Sequence, residues 1–380
     1  MDNCMMTERI KIVKPLYGGN GLGFREGKAV FVRFGVPGEE YSIALTSECK
    51  DYDTARIVEI NEKSPSRIGP ECPNFEACGG CSYLHVSYDF EIAMKQEIIA
   101  DCLKRIAGMD GEDLPAIQVI KSHRFGYRSH ASVKSRNGKA GFFRQDSNEL
   151  VAFPDGGCLL LSPEINDHLG NSAHPGNEFI IAVGHDGKCL ESATDDIEIT
   201  EKELGIEYRR DIGGFYQANR FLRPAMIESV RGSAQDRVET FMDIFCGIGF
   251  FSLQLSSRAA RGIGYDIQKN AISYAGKNAG INGIGNLEFH ALASSQIRIP
   301  ARRPELVIID PPRAGADKKT RRTICGLGPD RIIYVSCNPA TFARDIRDFA
   351  KAGYRLNSLT MIDMFPGTMH IETIGTLNLR

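Results

Sequence analysis

The chain has 380 residues, more than one ordinary hydrophobic core organises, so two or three domains are expected. Its 46 basic and 48 acidic side chains leave a net charge of −2, and a 42% share of hydrophobic residues is that of a globular protein. No apolar run approaches the roughly 20 residues of a membrane span, and Met1-Asp2-Asn3-Cys4 lacks the basic-then-apolar layout of a signal peptide, so a cytoplasmic protein without a membrane partner is expected.

From about Glu8 to Ile60, short β-type runs such as Ile10 to Val13 and Ala29 to Val32 alternate with glycine turns at Gly18-Gly19-Asn20-Gly21 and Pro37-Gly38. Strands so short and evenly spaced predict a small barrel, and Ser64-Pro65-Ser66 reads as a linker. Eleven cysteines in a reducing compartment point to metal binding, catalysis or burial rather than disulfides. Cys72, Cys78 and Cys81 fall within ten residues around a Gly79-Gly80 step. Structural zinc more often uses two separated Cys-x-x-Cys knuckles, whereas three clustered thiols plus a remote fourth suit an iron–sulfur cubane, with Cys102 and Cys158 both open as fourth ligand.

Phe90, Met94, Ile98, Cys102 and Ile106 recur at a helical period, predicting an amphipathic helix from Phe90 to Ile106. The near-neutral total charge then proves to be an average. Seven cations between Lys121 and Asp146, among them Lys134, Arg136 and Lys139, face the single anion Asp146, while eleven anions between Leu160 and Tyr208, Asp195 and Asp196 among them, face Lys188 and Lys202. The basic stretch carries Phe125, Tyr127, Phe142 and Phe143. Cations for phosphates and rings for unpaired bases predict an RNA-binding segment.

After β-rich sequence to about Tyr216, strands and helices alternate: helix Leu222 to Val230, strand Thr240 to Ile244, helix Phe251 to Ser257, strand Gly262 to Tyr265, helix Asn270 to Ala279. This is the doubly wound, Rossmann-like α/β pattern. Asp243-Ile244-Phe245-Cys246-Gly247-Ile248-Gly249 is a strand running into a glycine turn, but Phe250-Phe251-Ser252 follows where a dinucleotide fingerprint needs its third glycine. Asp266, at the end of the next strand, suits two ribose hydroxyls. A ribose clamp without a pyrophosphate cradle fits adenosine joined to a cation, as in S-adenosylmethionine, with Asp310 supplying a carboxylate near the sulfonium.

Two further strands, Leu306 to Ile309 and Ile332 to Val335, end at Asp310-Pro311-Pro312-Arg313 and Ser336-Cys337-Asn338-Pro339, so a thiol and an acidic turn meet at the edge where open α/β sheets work. A Cys337 thiolate, helped by Arg313, can add to C6 of a uracil and make C5 electron-rich enough to accept a methyl group. A base must then remove the C5 proton, and the C-terminal stretch offers Glu372 and His370.

Taken together, these motifs resemble the RNA uridine C5-methyltransferases over nearly the whole chain. The resemblance makes Pro15 to Leu22 the opening of a TRAM domain, a small RNA-binding barrel. It implies a [4Fe-4S] cluster on Cys72, Cys78, Cys81 and Cys158, so that Cys158 and not Cys102 is the fourth ligand. It places Gln217, Phe245, Phe250, Asp266 and Asp310 at the S-adenosyl-L-methionine site, with Cys337 as nucleophile and Glu372, rather than His370, as base. Phe250 stands where members commonly carry a small or polar residue, and Asp266 where many have glutamate.

The implied architecture is a TRAM-like barrel at 1–63, a central domain with the iron–sulfur cluster and basic segment at 64–215, and a methyltransferase domain at 216–380. The expected substrate is a uridine in structured RNA, 23S ribosomal RNA before the transfer RNA T-loop, with no obligatory protein partner evident. Two other readings stay open: a non-catalytic iron–sulfur RNA-binding protein, and a methyltransferase acting on another base. Against the latter, Arg313 follows the double proline where amine methyltransferases usually carry a base-stacking aromatic.

Overall fold

The computed structural model describes residues 8–171, 178–193, 197–234, 236–298 and 303–380. The N-terminal tetrapeptide and two of the acidic positions, Asp195 and Asp196, lie outside them. The chain gathers into two compact units: residues 1–101, 143–151 and 365–370 form one, and 102–142, 152–364 and 371–380 the other.

The first unit holds a six-stranded sheet built from Glu8–Lys11 to Tyr52–Glu62. Its inward residues alternate as the pleat requires: Ile10 and Ile12, Val30 and Val32, Tyr41 and Ile43 bury against Ala55. Helix Tyr88–Cys102 follows the cysteine loop, shorter than the period suggested because a π-helical turn, Leu103–Ala107, closed by left-handed Gly108, takes over.

The second unit is organised by an eight-stranded sheet in the order Leu287–Ala291, Ala259–Asp266, Val238–Ile244, Leu306–Ile309, Arg331–Ser336, Glu372–Leu379, Tyr354–Ile362, Ile117–Ile120. Glu372–Leu379 runs antiparallel to both of its neighbours, and the other pairings are parallel. The strand Leu306–Ile309 is buried throughout and Arg331–Ser336 from its second residue on, as central strands covered on both faces must be. Strand order reverses at Val238–Ile244, whose neighbours are the next strand in sequence on one side and Leu306–Ile309 on the other. Ligand crevices of open α/β sheets form at such a reversal.

The α/β second unit and the β-rich start agree with the sequence reading, but the iron–sulfur centre does not. Among the described residues, no group of three or more His, Cys, Asp or Glu side chains is placed to hold a metal ion. The [4Fe-4S] cluster on Cys72, Cys78, Cys81 and Cys158, and the metal-binding central domain built on it, are therefore corrected. Packing explains the features that suggested it. An alanine Cβ at Gly79 would come within 2.9 Å of the Phe143 carbonyl and the Gln145 nitrogen, so the Gly-Gly step serves a close backbone approach. Phe75 stacks on His85, burial raises the pKa of the Cys78 thiol, and Cys158 packs in the other unit against a core that includes Val133, Ile165 and Phe179. Among the described residues, no helix is long and apolar enough to cross a membrane.

Candidate active site

The turn after Val238–Ile244 is shaped by three residues with positive φ: Phe245 at 72°, Gly247 at 54° and Gly249 at 86°. A phenylalanine there is strained, and such strain is held where the surroundings fix it. The amides of Phe245 and Cys246 both donate to the Tyr265 carbonyl, at 2.8 and 3.0 Å. Asp266 accepts from the Gly247 amide at 3.0 Å through one oxygen and from the Gln268 amide at 2.8 Å through the other. Its remaining lone pairs stay available for hydroxyls.

Two further carboxyls lie at this end of the sheet. Asp243 is fully buried; one oxygen accepts from Ser252 Oγ at 2.5 Å, and the other has no hydrogen-bond partner among the described residues. Burial and the charge of Asp266 push its pKa up to about 7. Asp310 is pushed up to about 7 by its own desolvation and by Asp243. Two carboxyls so destabilised as anions form a site that favours a bound positive charge. With the glycine turn and Asp266, they fit the adenosine and sulfonium of S-adenosylmethionine.

Gln217 is buried, and its carbonyl accepts from Arg223 Nε at 2.6 Å. Arg223 also reaches Glu201 at 3.1 Å, Glu203 at 3.2 Å and Ser129 Oγ, and lies 4.5 Å over the Tyr216 ring. Arg210 pairs with Glu201 at 2.8 Å and donates to the carbonyls of Ile212 and Gly214, bracing the loop that carries Tyr216 and Gln217. Phe250 belongs to a buried aromatic cluster with Tyr208, Tyr216 and Phe251.

The nucleophile candidate follows Arg331–Ser336 directly. Asn338 caps helix Pro339–Lys351, accepting from the Ala340 and Thr341 amides, while its Nδ2 donates to the Arg313 carbonyl at 3.1 Å. Thr341 Oγ1 donates to the same carbonyl at 3.2 Å, so the Asp310–Arg313 turn is latched to the Cys337 turn. The Cys337 thiol is pushed up to about 12, first by burial and then by the charges of Glu372 and Asp310, with Arg313 opposing. Glu372 is 7% exposed, and burial ahead of Asp310 raises its pKa well above the usual carboxylate range. Cys337, Glu372, Asp310 and Arg313 are thus near enough to feel one another's charge. His370 belongs to the other unit, where its ring meets Phe365 edge-on.

The basic, aromatic segment is sorted by the fold. Tyr127 is fully buried, so its ring is closed to a base, and the half-buried Phe142 packs edge-on against Phe153. Lys134 pairs with Glu178, directly opposite it on the neighbouring strand, so the acidic stretch neutralises part of the basic one. Exposed rings are found instead at Phe215, 74% accessible, and Phe221, 39% accessible, on either side of Gln217. Neither belongs to a periodic element, so pattern reading passes over them. Arg223 was missed too, although Glu201, Glu203 and Arg210 lie on one hairpin, where alternation can bring such charges to a common face.

A family model described as tRNA (Uracil-5-)-methyltransferase matches residues 190–379. An uncharacterized RNA methyltransferase of Aquifex aeolicus is 30% identical over 98% of both chains. The 23S rRNA (uracil(1939)-C(5))-methyltransferase RlmD of Vibrio parahaemolyticus is 28% identical, covering 97% of this chain and 95% of its own. In fold, the chain is similar to the Pyrococcus abyssi tRNA (uracil-54, C5)-methyltransferase solved with S-adenosyl-L-homocysteine, with a TM-score of 0.72 and 22% identity over 98% of this chain and 100% of that one.

Proposed function

Since the chain belongs to the RNA (uracil-C5)-methyltransferase family, whose members methylate RNA from S-adenosylmethionine, we propose that Cys337 is its nucleophile and Glu372 its proton-abstracting base. S-adenosylmethionine supplies the methyl group and a positive charge on sulfur. Every other step falls to the chain and the uracil.

The Cys337 thiolate adds to C6, which makes C5 an enolate carbon able to take the methyl group. Glu372 then removes the C5 proton, and the electron pair left behind expels the cysteine from C6. A base whose anion is destabilised by burial is a stronger acceptor than an exposed glutamate. The thiol, pushed up to about 12, is protonated in the ligand-free protein. It becomes nucleophilic when the site turns more positive, through Arg313 and through neutralisation of the Asp310 charge. Gln217, Phe245, Asp266 and Asp310 hold the cofactor, with Asp266 on the ribose. Phe250 contributes by packing behind Tyr216 rather than through its exposed surface, which is small.

One observation carries this reading. Ser336 is paired with Thr373 across adjacent antiparallel strands, so the residues just beyond and just before them, Cys337 and Glu372, emerge side by side. RNA carrying 5-fluorouridine tests it, because fluorine cannot leave as a proton. The adduct should survive denaturation and vanish in Cys337→Ala; equal trapping by that variant would refute the assignment.

We favour a uridine of 23S ribosomal RNA, supported by the name of the Vibrio relative, over the transfer RNA T-loop; the Pyrococcus protein is named for uracil-54 of transfer RNA. Mapping 5-methyluridine in ribosomal and transfer RNA from cells with and without the gene separates them.

A further inference from the structure

We propose that Phe221 and His123 form a stacking platform for an unpaired base adjacent to the target uridine. The two rings meet at 4.6 Å between centroids, tilted by 54°, and both residues are exposed. Arg220 lies 5.2 Å from the Phe221 ring centroid and is itself fixed by Glu164 at 2.8 and 2.9 Å. A ring exposed by 39% and backed by a fixed guanidinium offers a base a π-face and a neighbouring cation.

The platform is fastened to the rim that carries the chemistry. Asn219, fully buried, donates to Ser122 Oγ at 2.9 Å and to the Met364 carbonyl at 3.1 Å, while its own oxygen accepts from the Phe221 amide at 3.1 Å. Ser122 and His123 follow the end of Ile117–Ile120. In register, Ile120 lies beside Ile362, Ile362 beside Glu372, and Thr373 beside Ser336. Cys337 and His123 therefore leave the same edge of the sheet, three strand spacings apart, or roughly 14 Å. Extruding a uridine into a site unstacks its neighbours in the RNA, and a ring at that distance along the rim can replace one of the lost partners.

The inference rests on RNA being the substrate, as in the reading above, but not on the roles of Cys337 and Glu372. The test uses the full chain, a fluorescein-labelled single-stranded oligoadenylate, and an abasic oligomer of equal length, followed by anisotropy. Phe221→Ala should weaken oligoadenylate binding about tenfold and leave abasic binding unchanged, and Phe221→Trp should restore it. Phe221→Leu, which keeps apolar bulk without a π-face, should behave as Phe221→Ala does, and S-adenosylhomocysteine affinity reports that the pocket is intact in each variant. Wild-type affinity for oligoadenylate in Phe221→Ala and Phe221→Leu overturns the platform, as does equal weakening toward both oligomers. If Phe221-dependent binding is present but no RNA is methylated, the catalytic reading falls and the platform stands.

Discussion

Ser336 and Thr373 face each other across two antiparallel strands, and the Thr373 hydroxyl donates to the Ser336 carbonyl at 3.3 Å. That one pair sets the separation of Cys337 and Glu372, because each is the next residue along its own strand. Backbone register, which a point substitution of either side chain leaves in place, therefore fixes the proposed nucleophile and base together.

Glu372→Gln should separate addition from elimination. The thiolate still adds and the methyl group still transfers, but nothing removes the C5 proton. Turnover should fall by about 10² to 10⁴, and a protein–RNA adduct should build up on ordinary uridine RNA, seen as a shifted band on a denaturing gel. Fast turnover without an adduct would assign the base elsewhere.

The same substitution should change the thiol. Burial first, and then Glu372 and Asp310, hold the Cys337 pKa up, since a thiolate beside carboxylates is repelled, and Arg313 acts in the opposite direction. Removing the Glu372 charge therefore lowers it, and Arg313→Met raises it. Alkylation by iodoacetamide follows thiolate fraction. Its rate at a fixed pH near 8 should rise in Glu372→Gln and fall in Arg313→Met, and the reverse order would show that the charges do not couple as described.

The positions legible from sequence are those fixed by the order of the chain. A turn after an apolar strand lands at the sheet edge whatever its tertiary neighbours, so Asp266, Asp310 and Cys337 could be placed from their local runs alone. Convergence of distant side chains is different. Three cysteines in ten residues state what the thiols can do chemically, but not whether they point at a common centre, and among the described residues they form no metal site. Aromatic content misled in a similar way. Tyr127 sits among cations in sequence, yet the fold spends its ring on packing, whereas Phe215 and Phe221 lie in an aperiodic stretch that gives no pattern to read.

Asp243 gives stability an unusual pH dependence. Its folded pKa, about 7, is raised above the ordinary 3.8, so the native state binds the proton more tightly than the unfolded chain does. The stabilisation is complete below pH 4 and is lost as pH rises through 7. Asp310, raised to about 7, adds in the same direction. Asp243→Asn removes one of the two and also relieves Asp310. Urea unfolding should show the variant more stable than wild type at pH 8, by a difference on the order of a few kcal/mol, and nearly equal below pH 4. A variant less stable at pH 8 than at pH 5, to the same degree as wild type, would contradict this.

Arg223 should link stability to cofactor binding. It is 4% exposed, neutralises Glu201 and Glu203, and holds the Gln217 carbonyl. Arg210 also pairs with Glu201, so Arg223→Ala leaves Glu203 as the carboxylate without a cation partner among the described residues and frees the loop before Gln217. Breaking a buried ion pair from one side costs about 3 to 5 kcal/mol. Burial already raises the Glu203 pKa against the pull of Arg223, and without that pull it rises further. The deficit should therefore be larger at pH 8 than at pH 5, since a raised folded pKa withdraws stability as pH increases. Adding Glu203→Gln should return much of the lost stability by removing the stranded charge. It should not restore S-adenosylhomocysteine affinity, because the Gln217 carbonyl remains unheld. Recovery of both in the double variant would mean that Arg223 acts only through the charge of Glu203.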